Sequence, residues 1–556
     1  MTAAPSWWVE PFTEEERAIL APWFTNTDRP VFALRNLPEA VKGALFSRYS
    51  RSGKSLRRLF LDEFAGELPT TPPTSGPVGE ARAAALYHRV LDQYGDDSVA
   101  QLGGAHVACE QASNLLTKAL EWGRLAAYLE QSTRYVSYTD RPGGRWRYHL
   151  DPDVDADPAL GPEYRRVLDG LFTAYSELVP ALIAVLAERL PRDPAASEPA
   201  WRRAVKARAL DGLRGLLPAA TTSNVGIYAS AQSYEALLLR LRAHPLPEAR
   251  AAAELLLREL RQVIPVFLTR VDRPDRGVAW SRYLAETAEE TAKVVDALLG
   301  DPDRGVGDQA PSVRLVEFDP AAEDKILTAI AYPHLRVGEE AVAARVARLT
   351  TEERARLLAA YVGRRGNRRH RPGRAFERAL YTFDVVADYG AFRDLQRHRM
   401  CTIVWQPLRP DLGYDVPADV EAAELGDRFA AVMRASASLY RALEPRFPAQ
   451  APYAVSLAHR VRFAITLNAR ELLHLAELRS EPQGHPAYRL VAQRMHRLIA
   501  ERAGHHGLAA AMRFVVHDEE DAGPGGDSGL GRLAAEERTE ARRGGSGGTG
   551  SEGMPP

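Results

Sequence analysis

The chain has 556 residues, of which 45% are hydrophobic and 26% are charged, and its formal net charge is −1. That length allows two or three domains with sizeable cores, and the near-neutral charge argues against wholesale nucleic-acid binding. Two cysteines, Cys109 and Cys401, exclude a disulfide framework and fit a reducing compartment. Because the sequence shows no signal-peptide pattern and no uninterrupted apolar run of membrane-spanning length, we expect a cytoplasmic protein without a membrane partner.

The first half of the chain is predicted to be mainly helical. Residues 1–78 form a helical and irregular extension that ends in a proline-rich loop, and residues 79–300 form the first domain. The apolar spacing of residues 113–131 predicts one helix that delivers Glu130, Ser132 and Arg134 at or just beyond its end. Further amphipathic helices are predicted at residues 163–192, 201–217, 234–241 and 248–263. The Gly-, Asp- and Pro-rich residues 300–311 predict a linker.

The second domain is predicted at residues 312–516. Alternation in Val313–Phe318 indicates a strand, and helices are predicted at residues 324–331 and 339–361. The arginine-rich residues 364–374 form either a solvated loop or a phosphate-facing loop. Thr382 lies in a strand-like segment that leads into a helix running toward Arg397. The Gly/Ser-rich tail, residues 517–556, is predicted to be disordered.

Arg397, His398 and Arg399 gather three cationic or hydrogen-bonding groups at the predicted end of that helix. The helix dipole favours cations at such a position, so a charged final turn is one interpretation. The other is an anion site, because guanidinium groups match phosphate oxygens in pairs.

The segment Arg397-His398-Arg399 resembles the signature of flavin-dependent thymidylate synthases, in which Arg-His-Arg precedes Ser-x-Arg-Tyr. The missing half occurs in the first domain as Ser132-Thr133-Arg134-Tyr135. The resemblance therefore implies two diverged copies of one domain, each keeping part of a site. It implies an α+β fold with two tandem units, each a twisted, mostly antiparallel sheet with packed helices, helix-rich overall.

Two further segments resemble elements of this family. Arg214-Gly-Leu-Leu-Pro218 is similar to its Arg-x-x-Leu-Pro motif, and residues 467–479 are similar to its Asn-Ala-Arg helix. The helix contributes four matching residues, Asn468, Arg470, His474 and Arg479, and His485 resembles the first residue of a later motif. Since family sites form where subunits of a homotetramer meet, the resemblance implies a homodimer that forms a pseudo-tetramer with composite sites.

The resemblance implies reductive methylation of dUMP to dTMP with FAD, methylenetetrahydrofolate and NADPH. Its implied cofactor-binding residues are Thr382, Arg397, His398, Arg399, Asn468, Arg470, His474 and His485. Its implied substrate-binding residues are Glu130, Ser132, Arg134, Arg214 and Arg479, and Arg479 would also stabilise charge developing on the uracil ring. No metal motif is present, and Cys401 is interpreted as a core thiol rather than a nucleophile.

Departures from the family pattern leave two alternatives open. Trp405 stands where the family has an acidic residue, which suggests a flavoenzyme acting on a different pyrimidine. Because each copy keeps only part of the motifs, a non-catalytic nucleotide-binding or scaffold protein is the other alternative.

Overall fold

The structure is a computed structural model that describes residues 7–37, 45, 49, 52–65, 104–300, 310–517, 533, 536 and 537. It contains two compact units. Unit 1 comprises residues 1–176, 216–306 and 431–456, and unit 2 comprises residues 177–215, 307–430 and 457–556. The proline-rich loop, most of the linker and nearly all of the tail predicted from the sequence lie outside the described residues.

The sheet of unit 1 has four antiparallel strands in the order β1-β2-β4-β3. They are β1 (Val31–Leu34), β2 (Gly104–Ser113), β3 (Ala126–Glu130) and β4 (Thr222–Ser230). The register of β2 against β4 shifts between Cys109 and Ala112, where Gln111 has a φ of 57°. This bulge inserts one residue into β2 and bends it before the helix that follows.

Helices cover the sheet of unit 1. Its short helices are α1 (Glu14–Leu20), α2 (Leu56–Glu63), α3 (Asn114–Leu120) and α4 (Pro152–Asp155). The longer ones are α5 (Leu160–Arg189), which lies in unit 1 up to Ser176, and later α7 (Ala231–Arg242), α8 (Pro247–Leu260) and α9 (Gly277–Leu299). The α7 residue Tyr234 is fully buried and its hydroxyl donates to the carbonyls of Ala105 and Ile227, which ties this helix to the two central strands.

Unit 2 repeats the same topology, with strand order β5-β6-β8-β7 and antiparallel pairing throughout its described sheet. Its strands are β5 (Ser312–Phe318), β6 (Leu380–Asp388), β7 (Thr402–Trp405) and β8 (Arg460–Asn468). Burial alternates strictly along β8, as expected for a strand with one face on the core. The repeated order confirms the predicted α+β fold with two tandem, helix-covered sheets.

Helices also surround the second sheet. In chain order they are α6 (Glu198–Leu213), α10 (Ala322–Ala331), α11 (Glu339–Val346), α12 (Thr351–Val362), α13 (Tyr389–Gln396), α14 (Ala418–Ala422), α15 (Gly426–Leu443, in unit 2 up to Ala430), α16 (Ala469–Arg479), α17 (Pro486–Glu501) and α18 (His506–Ala511). Unit 2 therefore includes α6 and Arg214, which precede the linker in the sequence.

Helix caps define which residues of the two units are equivalent. Strand β2 leads into α3 through the N-cap Ser113, and β6 leads into α13 through the N-cap Asp388. Strand β4 leads into α7 through Ser230, and β8 leads into α16 through Asn468. Counting from these caps, Gly123 of unit 1 corresponds to His398 of unit 2, and Ser233 corresponds to Glu471.

Three sequence predictions about the elements were wrong. Residues 113–131 form α3 and then β3 rather than one helix, because the chain turns at residues 121–125 and returns to pair with β4. The apolar residues Val385 and Val386, whose spacing also fits a helix, lie in β6, and α13 begins only at Tyr389. Residues 339–361 divide into α11 and α12, with Thr350 capping the second helix.

One described helix, α5, is long and apolar enough to cross a membrane by length and composition alone. The core helix of a soluble protein passes the same test, and Tyr164, Leu168, Phe172 and Tyr175 of α5 are fully buried.

Candidate functional site

The Arg-His-Arg segment follows directly on α13, as the sequence predicted. The helix ends at Gln396 and Arg397 is its C-cap. His398 is buried, the Arg397 side chain is 36% exposed, and Arg399 is half-buried. The three side chains therefore differ in their access to a ligand, with the imidazole inside unit 2 and Arg397 at its surface.

Hydrogen bonds fix the protonation state of His398. Arg479 donates from Nε to Nε2 of His398 at 2.9 Å, and Nδ1 of His398 lies 2.8 Å from Oε1 of Glu471. Since an arginine Nε–H only donates, Nε2 must accept, and the ring proton is on Nδ1 and points to the carboxylate. Burial, and then the charges of Arg479 and Arg371, hold the pKa of His398 well below its usual range. The residue is thus a neutral imidazole that links Glu471 to Arg479.

Glu471 and His474 complete this cluster. The rings of His398 and His474 are 5.3 Å apart, and Nε2 of His474 lies 3.3 Å from Nη2 of Arg371. Burial raises the pKa of Glu471, whereas burial and the neighbouring His398 lower the pKa of His474 to about 4. Both imidazoles are therefore neutral at pH 7, and the carboxylate of Glu471 offsets only part of the positive charge of Arg479 and Arg371.

The ligand atoms of His398, Glu471 and His474 lie within 4.8 Å of one another, a spacing compatible with one metal ion. Both nitrogens of His398 are engaged in hydrogen bonds, and two guanidinium groups adjoin the cluster. A divalent cation would have to displace Arg479 and would meet the charge of Arg371. The residues fit a metal poorly, and that the protein binds no metal stays a prediction.

Other residues predicted around the cofactor have structural partners. Asn468 is the N-cap of α16 and accepts from the backbone N–H of Glu471 at 2.9 Å. Arg470 donates to the carbonyl of Pro372 and lies 3.4 Å from Glu377. The hydroxyl of Thr382 bonds Thr466 on the adjacent strand. These contacts hold the start of α16 against residues 372–377 and join β8, which leads into α16, to β6.

A second feature of unit 2 is a cavity of about 790 Å³ near the start of α13. Arg214, Asp388 and His485 line it. Arg214 is 4% exposed, its Nη1 lies 3.0 Å from Asp394, and its Nη2 is buried without a hydrogen-bond partner. An unpartnered buried guanidinium N–H in a cavity indicates a place for an anionic ligand atom.

Asp394 joins this cavity to the Arg-His-Arg segment. Its carboxylate lies 3.0 Å from Nη1 of Arg214 and 3.7 Å from Nη1 of Arg397. The structure therefore brings together two arginines that the sequence placed in different copies, with one carboxylate between them. That carboxylate offsets the positive charge that would otherwise attract an anion.

Asp388 is an acidic group close to the unpartnered guanidinium nitrogen. A Cβ added at Gly390 would lie 2.9 Å from Oδ1 of Asp388 and 3.1 Å from Nη2 of Arg214, so the glycine permits their approach. Burial raises the pKa of Asp388 to about 6, while Arg214 and the N–H of Ala391 oppose that rise. Its carboxyl can gain or lose a proton near neutral pH, which suits acid–base work.

His485 also lines this cavity, as the N-cap of α17. Its Nδ1 accepts from the backbone N–H of Ala487 at 3.2 Å, and its Nε2 lies 3.2 Å from the carbonyl of Asp211. Both nitrogens are thus engaged, with the proton on Nε2, and the ring is held by α6 and α17 of unit 2.

The remaining predicted residues belong to unit 1. Glu130 ends β3, its side chain is fully buried, and it lies 3.4 Å from Nζ of Lys118. Ser132 and Arg134 follow in a turn, where the hydroxyl of Ser132 accepts from the backbone N–H of Arg134. Because Glu130 ends a strand, Glu130 and Arg134 are not neighbours on one helix. A composite site with unit 2 stays a prediction.

Four polar residues of the site were missed by sequence reasoning: Arg371, Asp388, Asp394 and Glu471. Glu471 had a detectable signal, since it stands next to Arg470 and three residues before His474 on the predicted helix. Arg371 lies in the arginine-rich segment 364–374, which is not wholly solvated. There, Arg365 is 2% exposed and lies 2.6 Å from Glu477.

Comparison with known proteins finds similarity along most of the chain. Residues 61–266 and 314–503 each match the family described as thymidylate synthase complementing protein. The UPF0159 protein of Chlamydia muridarum is 37% identical over 543 residues, covering 95% of this chain and 99% of that protein. The UPF0159 protein of Chlamydia pneumoniae is 34% identical over 542 residues, covering 96% and 98%.

Among solved structures, the chain is similar to thymidylate synthase X from Helicobacter pylori, crystallised with FAD and dUMP. The match covers 37% of this chain and 100% of that chain, at 17% identity and a TM-score of 0.28.

Proposed function

The chain belongs to the thymidylate synthase complementing protein family as a tandem duplication, and from this we propose that it is a flavin-dependent enzyme that methylates dUMP. The proposed co-substrates are methylenetetrahydrofolate and NADPH, and the product is dTMP. One observation carries the proposal: Arg214 and Arg397 meet around Asp394, beside a cavity large enough for a nucleotide and next to the His398–Arg479 pair. Ligand pockets of small molecules are commonly several hundred Å³.

The donor set at the end of α13 suits FAD. Arg397 and Arg399 present guanidinium groups that can pair with pyrophosphate oxygens, while Arg470 and Asn468 lie at the start of α16. FAD would supply the hydride that reduces the transferred carbon to a methyl group. The protein's part is to hold the ring and offset negative charge, for which neutral His398 and cationic Arg479 are suitably paired.

Arg214 is the proposed contact of the nucleotide phosphate. Its Nη2 has no hydrogen-bond partner and lies in the space beside Asp388 and Gly390. A phosphate there would gain a charge-assisted hydrogen bond worth about 1.5–3 kcal/mol. Ser132 and Arg134 of unit 1 would complete the phosphate site across the composite arrangement, and Glu130 would support that segment.

Arg479 is the proposed electrostatic catalyst. Its guanidinium is oriented by Nε2 of His398 and lies 5.3 Å from the ring centre of Tyr488. A group held in place before the reaction stabilises developing charge without reorganisation. Glu471 and His398 are positioning residues, because they act on the substrate through Arg479.

Two alternatives have support of their own. The carboxylate of Asp394 between two arginines disfavours a phosphate, and Trp405 packs against Phe392 with ring centres 5.3 Å apart. These observations favour a flavoenzyme that acts on a different pyrimidine. The second alternative is a non-catalytic nucleotide-binding or scaffold protein, and the partial offset of the site's positive charge by Asp394 and Glu471 supports it.

The test combines a spectrum with an assay. Purified protein should be yellow with a flavin absorption spectrum, and it should release tritium from 5-tritiated dUMP when folate and NADPH are present. Arg479→Ala should lower the rate by at least about a hundredfold while flavin stays bound, because it removes a preorganised positive charge. Arg374→Ala, whose side chain is 86% exposed, is the matched control and should leave the rate unchanged.

The outcomes separate the alternatives. Flavin binding without turnover of dUMP would favour another pyrimidine substrate, and colourless protein that binds nucleotide would favour the scaffold. We also propose a cytoplasmic location and a homodimer.

A further inference from the structure

Unit 1 holds a cavity of about 730 Å³ that none of the predicted site residues lines. Its walls come from the turn before β3, from α7 and from the start of α9. Two large aromatic side chains on its wall are solvent-exposed, with Trp280 54% and Tyr283 61% exposed. Aromatic rings left open to solvent at a cavity are a common feature of ligand sites.

This cavity is at the position that the His398 cluster occupies in unit 2. Counting from the helix caps, Gly123 replaces His398, Ser233 replaces Glu471, and Ala236 replaces His474. All three smaller residues line the cavity. Unit 1 thus has small side chains and open space at the positions where unit 2 has the larger side chains of His398, Glu471 and His474.

The cavity of unit 1 has a cation of its own. Arg240 lies with its guanidinium 5.0 Å from the ring centre of Trp122, the counterpart of Arg397. Within the described ranges no carboxylate lies within ion-pair distance of Arg240, which is half-buried. Neighbouring Arg270, by contrast, is paired with Glu235 at 3.1 Å. A half-buried cation stacked on indole and lacking a counter-ion favours an anionic partner.

Gly123 preserves this geometry. A Cβ at Gly123 would lie 2.7 Å from the hydroxyl of Tyr128 and 3.4 Å from Nη2 of Arg240. The glycine therefore lets the tyrosine and the arginine approach the turn, and any side chain there would begin to close the cavity.

We propose that this cavity of unit 1 binds a planar heteroaromatic molecule bearing a phosphate or a carboxylate, with the ring against Trp280 and Tyr283 and the anion at Arg240. Aromatic faces accept a heterocycle without regard to its exact ring substituents, and Arg240 supplies the charge recognition. None of the residues proposed for the dUMP and FAD site lines this cavity, so the ligand expected here is a second molecule.

Calorimetric titration of the full-length chain tests the proposal with three probes: AMP, adenosine and folic acid. AMP or folic acid should bind, and adenosine should bind at least tenfold more weakly than AMP if phosphate is the recognised anion. Arg240→Gln should weaken binding at least tenfold. Arg282→Gln, an exposed arginine on α9 that does not line the cavity, is the charge-matched control and should bind as the parent does.

The variants also separate this site from the proposed flavin site. Arg397→Ala should keep the affinity for the probe, and Arg240→Gln should keep any flavin spectrum. Trp280→Leu provides a second test if Arg240→Gln fails to fold, because Trp280 is 54% exposed and its loss should spare the core. If only AMP binds, phosphate is the anion that the cavity recognises, and if only folic acid binds, the recognised anion is a carboxylate. No binding of either, or affinity unchanged in both cavity variants, would overturn the proposal.

Discussion

Asp394 is the residue that most constrains anion binding in unit 2. It shares one carboxylate between Arg214 and Arg397, and both Arg214 and Asp394 are at least nine-tenths buried. Removing one partner of a buried ion pair leaves an uncompensated charge. The same carboxylate competes with any phosphate that approaches Arg214.

Asp394→Asn should therefore have two opposite effects. We expect the free energy of unfolding to fall by about 3–5 kcal/mol, because Arg214 loses its buried counter-ion. We expect affinity for inorganic phosphate and dUMP to rise. Urea denaturation and calorimetry measure the two quantities. The control is Asp411→Asn, which breaks an exposed pair with Arg409 and should change neither the stability nor the phosphate affinity by much. If Asp394→Asn bound phosphate more weakly than the parent chain, Asp394 would not compete with phosphate for Arg214.

Asp388 provides a pH-dependent test. Its folded pKa is about 6 against 3.8 for the unaltered group, so the folded chain holds this proton over a range where the unfolded chain has lost it. The contribution of Asp388 to the free energy of unfolding is thus most favourable at low pH, and it is lost as the pH rises through about 6. Asp388→Asn keeps a good N-cap and should raise the unfolding free energy at about pH 8 by an amount on the order of 1–3 kcal/mol.

That advantage of the Asp388→Asn variant should vanish near pH 4, where the carboxyl of the parent chain is protonated and, like the amide of the variant, carries no charge. Urea midpoints at about pH 4, 6 and 8 give the difference directly. An advantage that is the same at all three values would show that the carboxylate does not titrate in this range.

Helix α16 is the element on which the site depends. It follows β8 without a loop, and its N-cap Asn468 bonds the backbone N–H of Glu471, the residue that holds His398. The cap therefore connects local helix geometry to the orientation of Arg479. Helix α12 has a comparable cap, since Thr350 accepts from the N–H of Glu353, but it contributes nothing to the His398 cluster.

Asn468→Ala should lower the free energy of unfolding by about 1 kcal/mol, and Asn468→Ser should restore most of it. Thr350→Ala is the matched control, with a similar loss in stability. If the cap also positions the site, Asn468→Ala should weaken flavin binding and Thr350→Ala should not. Equal flavin affinity in both variants would limit Asn468 to a structural role.

At the scale of the whole molecule, each compact unit includes a segment from the other half of the sequence. Unit 2 contains Arg214 although its motif precedes the linker, so a segment from the first half of the chain completes the second unit. Unit 1 correspondingly includes residues 431–456. A cut at the linker would therefore not separate the two units, because each unit would lose a segment that belongs to it.

The predicted homodimer is a property of the whole molecule. The chain has a mass of 61.3 kDa, and sedimentation equilibrium should give twice that value. Because a composite site would need the dimer, flavin affinity should fall when the protein is diluted below its dimer dissociation constant. A monomer that binds flavin fully at all concentrations would contradict this expectation.

The sequence alone determined the family, the tandem organisation and the end of α13, because these rest on motif order and on helix-terminal residues. It could not place the boundary between β6 and α13 or detect β3 after α3, since short buried strands and helices share apolar composition. Pairing with β4 and β8, through contacts distant in sequence, decided those elements.

Only the tertiary structure decided the charge state of the site. Because Arg214 is far from Asp394 and Arg397 in the sequence, the order of residues does not reveal that Asp394 lies between the two arginines. Nor does it reveal that Glu471 fixes the proton of His398. Burial converts such groupings into shifted pKa values, because the charged forms lose solvation that only specific neighbours replace. The chemistry of each motif was readable from the sequence, whereas its electrostatic balance depended on the fold.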